Sequence, residues 1–205
     1  MIIHDIEQGS EAWFSARCGK VTGTRFKALI AGESTATYKD LITDIACEII
    51  TGMKQETYTN AIMQNGIDTE PLAREEYERL FEVEVKQVGF ITTDEGNKYH
   101  EWIGVSPDGL TDGMVEFKCP LMKTHLNYMM ADKLPTEYRP QVQGQLFTTE
   151  LPYCDFMSYV PGMKPFITRV LPDLFLFAEF ERRLDILIEQ VKEKLTSYNQ
   201  YDYLS

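Results

Sequence analysis

The chain has 205 residues, of which 43% are hydrophobic and 25% are charged, as in an ordinary globular protein. It has neither an apolar run near the ~20 residues of a membrane helix nor a secretory signal, so we expect a single cytoplasmic domain over residues 1–205, with no membrane contact. The net charge of −12 disfavours a broadly basic surface, and nucleic-acid binding would therefore need a confined basic groove.

The first part of the chain is predicted to be mainly helical. Residues 22–30 favour a short helix with its apolar side chains on one face. The next helix ends at Gly52, and its apolar positions are Tyr38, Leu41, Ile42, Ile45 and Ile49. A third helix is expected to begin around residue 69, because Pro71 then lies in the first turn, where proline is tolerated.

A β-rich region follows these helices. Residues 83–91 and 102–105 are rich in valine and isoleucine and are predicted as strands. Residues 106–109 have strong turn chemistry, and they lead to a further strand over 114–118, which Pro120 ends.

The second half alternates between helical and extended patterns. Helices are predicted over 125–130 and 141–147, and strands over 153–160 and 166–170. The last helix is amphipathic, with apolar positions at Phe177, Phe180, Leu184, Leu187, Val191 and Leu195. This order of elements predicts an α/β fold, a central mixed β-sheet flanked by helices.

The residues with the clearest chemistry lie around the strand over 114–118. Side chains alternate along a strand, so Glu116 and Lys118 point to one face and Phe117 to the other. If the neighbouring strand pairs with this one, Asp108 approaches Glu116. Two carboxylates then suit Mg²⁺, which activates water and polarises a phosphodiester, and a lysine beside them orients the water or offsets charge.

This pattern has a plainer interpretation. Glu-x-Lys on a strand is usually a solvated face, and the SPDG stretch over 106–109 is by itself a good turn. Their spacing shifts the balance towards a hydrolytic site without deciding it.

Two stretches, 104–110 (GVSPDGL) and 116–120 (EFKCP), resemble the core of the phage lambda exonuclease, or YqaJ-type, viral recombinases. Further stretches resemble the same family in the same order: 7–13 with Arg17 and 21–24, Gly66 with Glu70, and 141–143. Together they span roughly residues 7 to 147. The resemblance implies the restriction-endonuclease-like core of the PD-(D/E)XK nuclease superfamily.

The resemblance also implies roles for the residues that match its motifs. Asp108 and Glu116 would be metal ligands together with the carbonyl of Phe117. Lys118 would be the catalytic lysine, and Glu70 would reach a second metal ion or its waters. Residues that would support the site or contact the 5′-phosphate and the DNA end are Gln141, Gln143, Arg17, Thr24, Ser106 and Met63.

Each of these assignments has a structural alternative. Arg17 could serve only as a salt-bridge partner, and Thr24 could be a helix cap. Gln141 and Gln143 could be surface residues, and Met63 could be core filler. Trp13, within the first matching stretch, favours a core position over a base-stacking one.

The implied activity is digestion of one strand of linear double-stranded DNA in the 5′-to-3′ direction. It would use Mg²⁺, with two ions bound and Mn²⁺ able to substitute, and would leave a 3′ overhang for phage-type recombination by strand annealing. The implied partners are DNA ends, two further copies of the chain in a homotrimeric ring and a single-strand annealing protein, in a bacterial host of a phage or prophage.

Other functions fit parts of the pattern. A structure-specific endonuclease or an RNA-acting nuclease of the superfamily would share the hydrolytic residues, but would have no use for a 5′-phosphate pocket. A non-catalytic DNA-end-binding module would not need Asp108, Glu116 and Lys118 intact.

The chain departs from the family pattern in a region expected to recognise the DNA end. The loop over 31–37 has no arginine where family members can use a basic residue, and Lys20, Arg25 or Lys27 could replace it.

Overall fold

The computed structural model describes residues 1–53 and 61–201, without the side chains of residues 61–63. In chain order its elements are β1 (Ile2–His4), α1 (Glu11–Arg17), a 3₁₀ turn (Gly23–Arg25), α2 (Phe26–Leu29), α3 (Ala36–Thr51), α4 (Ala61–Phe81), β2 (Phe90–Thr92), β3 (Gly109–Leu110), β4 (Met114–Lys118), α5 (Met122–Ala131), α6 (Arg139–Thr149), β5 (Cys154–Ser158), β6 (Phe166–Val170) and α7 (Leu174–Asn199).

The main sheet has four strands in the order β3-β4-β5-β6. β4 pairs antiparallel with β3 and parallel with β5, and β5 pairs antiparallel with β6. A parallel pair needs a long crossover, and α5 and α6 lie in the segment that connects β4 to β5. The sheet is therefore mixed and has helices around it, which confirms the predicted fold class.

Both faces of β4 are covered. Val115 and Phe117 belong to a small apolar cluster with Ala73 and Tyr77 of α4. Met114 belongs to the larger core, which includes buried residues of α2, α3, α6 and α7. The alternation predicted from the sequence thus separates the two apolar clusters, and Glu116 lies on the same side of the strand as Met114.

The third predicted helix begins earlier than expected. α4 starts at Ala61, and Pro71 is inside it rather than in its first turn. Proline cannot donate a backbone hydrogen bond, yet the helix continues through it. Two residues earlier, the Thr69 hydroxyl donates to the carbonyl of Asn65 at 2.7 Å.

The tertiary contacts of the following helical turns, including buried Ala73 and Tyr77, hold α4 together across this position.

The two strands predicted over 83–91 and 102–105 are wrong in extent. Only Phe90–Thr92 forms a strand there, and it pairs antiparallel with β1 in a separate two-stranded sheet. Other residues of these segments form single bridges: Lys86 to Leu110, Ile103 to Val21 and Val105 to Ile91. Val85, Val88, Ile103 and Val105 are buried as residues outside the regular strands, so their β propensity overstates the length of the strands.

Two N-terminal elements were not predicted from the sequence, β1 and α1. The Ser10 side chain caps α1 by accepting from the backbone N–H of Trp13 at 3.2 Å. Among the described residues, no helix combines the length and the apolar character needed to cross a membrane.

Candidate active site

The carboxylates predicted to converge lie at the β3–β4 hairpin. Asp108 immediately precedes β3, and its Oδ2 accepts a hydrogen bond from the backbone N–H of Phe117 at 2.6 Å. This contact holds the turn against β4. Glu116, on the same strand, is only 1% exposed, so its charge must be balanced by neighbouring groups.

Three donors surround the Glu116 carboxylate. The Lys118 ammonium and the Gln141 amide both donate to Oε1, and the Gln145 amide donates to Oε2 at 2.8 Å. Gln141 and Gln145 are one helical turn apart on α6, so they present their amides on the same face. Lys118 also lies over the ring of Tyr138, with Nζ 5.3 Å from the centroid.

Lys118 does not fully balance the negative charge of the neighbouring carboxylates. Burial and then the charge of Glu116 raise the pKa of Asp108 well above its usual value, although Lys118 opposes the shift. Burial also raises the pKa of Glu70, against the effect of its ion pair with Arg74. Burial lowers the pKa of Lys118, but Glu116 and Asp108 outweigh it and the net shift is upward. Lys118 is therefore charged at neutral pH.

The donor set fits a hard divalent cation. Asp108 and Glu116 offer carboxylate oxygens, and β4 offers the carbonyl of Phe117. In the described ranges no group of three or more His, Cys, Asp or Glu side chains is arranged to hold a metal ion. Mg²⁺ needs only one or two protein carboxylates because it retains its own waters. Its charge would offset the burial and the repulsion from Glu116 that together raise the pKa of Asp108.

Replacing Asp108 by asparagine is expected to raise the melting temperature of the metal-free protein at pH 7.5. A carboxyl whose pKa is raised by folding destabilises the folded state once pH exceeds its unfolded value of about 4, and asparagine removes that charge. The asparagine oxygen can still accept from the N–H of Phe117. Calorimetry in EDTA should show that the difference in melting temperature between Asp108→Asn and the wild type grows as pH rises from 4. A difference that does not depend on pH would contradict a raised pKa for Asp108.

A second group of residues lies next to this cluster. Arg17, only 9% exposed, donates through Nη1 to the Ser106 hydroxyl at 3.0 Å and stacks on the Trp13 ring at 3.9 Å. The Trp13 indole donates to the same hydroxyl at 2.9 Å. The Nε of Arg17 is buried and has no hydrogen-bond partner among the described residues. Since Ser106 is two residues before Asp108, the hydrogen bond from Arg17 links this group to the segment that carries the Asp108 carboxylate.

The surroundings of Arg17 disfavour its positively charged form. Burial, and after it the charge of the neighbouring Arg25, lower the pKa of Arg17 to about 10, while Glu48 opposes the shift. A buried guanidinium with an unpaired donor is stabilised by an anion, and a phosphate supplies oxygens that match its geometry.

Two of the three cations considered as substitutes for a loop arginine are already engaged. Arg25 forms a bidentate ion pair with Glu48, which is 2% exposed and also accepts from the N–H of Gly19 at 2.9 Å. Lys20 donates to a backbone carbonyl at 2.7 Å. Lys27 is exposed on α2 and forms no ion pair within the described part of the chain, which leaves it the most available of the three.

Other predicted site residues lie at different places. Thr24 is exposed in the 3₁₀ turn, where the adjacent Gly23 packs against Gln141 and Gln145 of α6. The turn is therefore beside the cluster, although no contact joins Thr24 to Arg17 among the described residues. Met63 belongs to α4, but its side chain lies outside the described residues.

Gln143 is directed away from the cluster. Its Nε2 donates to the carbonyl of Leu171 at 2.8 Å, and its Oε1 accepts from the N–H of Asp173 at 2.8 Å. Asp173 is the N-cap of α7, so these bonds fix the start of that helix. Gln143 is 3% exposed, and its contacts are those of a structural residue.

Sequence reasoning missed three members of the site. Gln145 holds Glu116, Tyr138 lies against Lys118, and Trp13 supports Arg17 and Ser106. Gln145 could have been predicted from its spacing, because it lies four residues after Gln141 and therefore on the same face of a helix. Trp13 is partly exposed rather than in the core, and its role depends on a contact between distant segments that the sequence does not show.

The mixed sheet and the carboxylate–lysine cluster on its β3–β4 hairpin define a domain with the nuclease fold. The model of the YqaJ-like viral recombinase domain matches residues 12–152. The chain belongs to this family, which confirms the resemblance read from the sequence. None of the curated proteins matches the chain.

Solved structures show the same fold. The alkaline exonuclease LHK-Exo from Laribacter hongkongensis is 32% identical, with a TM-score of 0.82, over 93% of this chain and 97% of that one. The structure of LHK-Exo in complex with dAMP gives 31% identity and a TM-score of 0.83 over the same shares, 93% and 97%. A phage related exonuclease from Haemophilus somnus 129PT is 14% identical, with a TM-score of 0.67 over 87% of this chain and 96% of that one, and supports the fold alone.

Proposed function

We propose that the protein is a Mg²⁺-dependent exodeoxyribonuclease that digests one strand of linear double-stranded DNA from its 5′ end. The observation that carries this proposal is the convergence of Asp108, Glu116 and Lys118 at one hairpin, beside a buried arginine suited to phosphate. Similarity to LHK-Exo supports it, since that protein is an alkaline exonuclease and has been solved with the deoxynucleotide dAMP.

Each residue of the cluster would have a distinct role in hydrolysis. Asp108, Glu116 and the Phe117 carbonyl would hold Mg²⁺, which, when bound, polarises the scissile phosphodiester and lowers the pKa of its water. Lys118 keeps its proton because the carboxylates raise its pKa, so it would stabilise negative charge that develops on the phosphate rather than act as a base. Gln141 would keep the Glu116 carboxylate in place.

The direct test is digestion of a linear duplex labelled on one strand, with Mg²⁺, Mn²⁺ or EDTA. We expect cleavage with either metal, none in EDTA, and release of label from the 5′ end before the 3′ end. A closed circular duplex and an RNA duplex serve as controls and should stay intact. Cutting of the circle would favour an endonuclease, and a folded protein that binds duplex ends without cleaving them would favour an end-binding module.

Replacing Arg17 by alanine is expected to remove the preference for a 5′-phosphate over a 5′-hydroxyl end. A charge-assisted pair with phosphate contributes about 1.5–3 kcal/mol, so the ratio of kcat/KM for the two ends should fall roughly 10- to 100-fold. Lys27→Ala provides a comparison for the loop cation. An unchanged ratio in Arg17→Ala, with the wild type discriminating, would remove Arg17 from end recognition.

The wider biological role is also a proposal. Membership of a viral recombinase family supports a function in phage-type recombination, in which the 3′ overhang passes to a single-strand annealing protein in a bacterial cytoplasm. We propose a homotrimeric ring for the same reason. Such a ring would let an acidic chain, with a net charge of −12, present basic residues to DNA within an enclosed channel.

A further inference from the structure

Gln145 has an unusual set of contacts for a buried residue. It is 1% exposed, and its Nε2 donates to Oε2 of Glu116 at 2.8 Å. Its Oε1 is buried and has no hydrogen-bond partner among the described residues. A buried amide usually satisfies both of its ends, so a half-satisfied one beside a carboxylate needs an explanation.

The orientation of this amide is dictated by Glu116. Exchanging the oxygen and nitrogen of Gln145 would place two acceptors against each other, so the N–H must face the carboxylate. Packing also restricts the side chain. A Cβ on Gly23 would lie 3.6 Å from the Cγ of both Gln141 and Gln145, so the 3₁₀ turn lies directly over the two glutamines.

The two glutamines complete the contacts of Glu116. Gln141 and Lys118 donate to Oε1, and Gln145 donates to Oε2. Removing the Gln145 amide would leave one oxygen of a fully buried carboxylate without its donor and would free the carboxylate to rotate.

We propose that Gln145 is a positioning residue that fixes the Glu116 carboxylate for binding a divalent cation. This inference rests on the proposed function. The Oε1 of Gln145, which has no hydrogen-bond partner among the described residues, could accept from a donor such as water that accompanies the cation. Groups that hold a metal ligand in this way commonly change metal affinity or activity by about 10- to 100-fold.

The test is Gln145→Met, which keeps the length of the side chain and removes its amide. Calorimetric titration with Mg²⁺ alone should show a dissociation constant raised about tenfold or more. In cleavage assays the half-saturating Mg²⁺ concentration should rise in parallel, kcat should recover at high Mg²⁺, and KM for DNA should stay near the wild-type value.

Gln143→Met is a matched control, because Gln143 is buried on the same helix but bonds to the start of α7. It should lower the melting temperature without changing Mg²⁺ affinity. If Gln145→Met does not fold, Gln145→Asn, which is one methylene shorter, should show the same rise in the dissociation constant.

The outcomes separate this inference from the proposed function. Wild-type Mg²⁺ affinity in a folded Gln145 variant, with the wild type cleaving DNA, overturns the positioning role and leaves the nuclease proposal standing. Equal loss of Mg²⁺ affinity in the Gln143 and Gln145 variants also overturns it, since the effect would then be one of general stability. A wild-type protein that binds no Mg²⁺ overturns both.

Discussion

Replacing Lys118 by methionine is expected to lower the rate of DNA cleavage by about three orders of magnitude. Methionine is close to lysine in length and can keep the apolar contact with Tyr138, but it removes the cation beside Glu116. The loss should fall on kcat, because Lys118 would act on charge that appears in the transition state. The carboxylates proposed to bind the metal ion are unchanged.

Lys118→Arg distinguishes the two roles open to the lysine. Arginine keeps a positive charge but does not give up its proton in proteins, so it can replace a charge-stabilising lysine in part and a general base not at all. The raised pKa of Lys118 favours the charged role, and we expect Lys118→Arg to be more active than Lys118→Met.

The measurement is single-turnover cleavage of a 5′-phosphorylated linear duplex at saturating Mg²⁺. Lys194→Met, an exposed position on α7, is the matched lysine control and should cleave at the wild-type rate. Circular dichroism establishes that each variant is folded. A folded Lys118→Met variant whose cleavage rate is within tenfold of the wild-type rate would show that catalysis does not depend on the Lys118 cation.

The local part of the site could be predicted from the sequence. Alternation along residues 114–118 places Glu116 and Lys118 opposite Phe117, and the structure has Phe117 packed with Tyr77 while Glu116 faces α6. These relations follow from the geometry of one strand and a neighbouring turn. They need no knowledge of how distant segments pack.

The contacts between distant segments could not be predicted. Gln145 meets Glu116 across 29 residues, and Trp13 meets Ser106 across 93. Arg25 was considered as a DNA-facing cation, but its partner is the buried Glu48, 23 residues away. A glutamine, tryptophan or arginine carries no sequence signal for its partner, because the partner depends on which elements the core brings together.

Replacing Gly144 by alanine is expected to destabilise the protein by about 2 kcal/mol. A Cβ there would lie 2.3 Å from both Cγ and Cδ2 of Phe26. Phe26 is fully buried, with its ring edge-on to Phe180 at 4.8 Å and to Phe147 at 6.4 Å, so it cannot move aside freely. Overpacking of this kind costs about 1–3 kcal/mol, more than the gain of roughly 1 kcal/mol in helix propensity.

Gly66→Ala, in α4, is the matched control because a Cβ there has nothing within 4 Å among the described residues. It should gain helix propensity and melt no lower than the wild type, whereas Gly144→Ala should melt about 4–8 °C lower. Since Gly144 directly precedes Gln145, any shift of α6 that relieves the clash also moves the amide that holds Glu116. Gly144→Ala should therefore need more Mg²⁺ for cleavage at temperatures where it is still folded. A variant that melts lower with an unchanged Mg²⁺ requirement would show that the Phe26 side chain moves to relieve the clash and that α6 keeps its position.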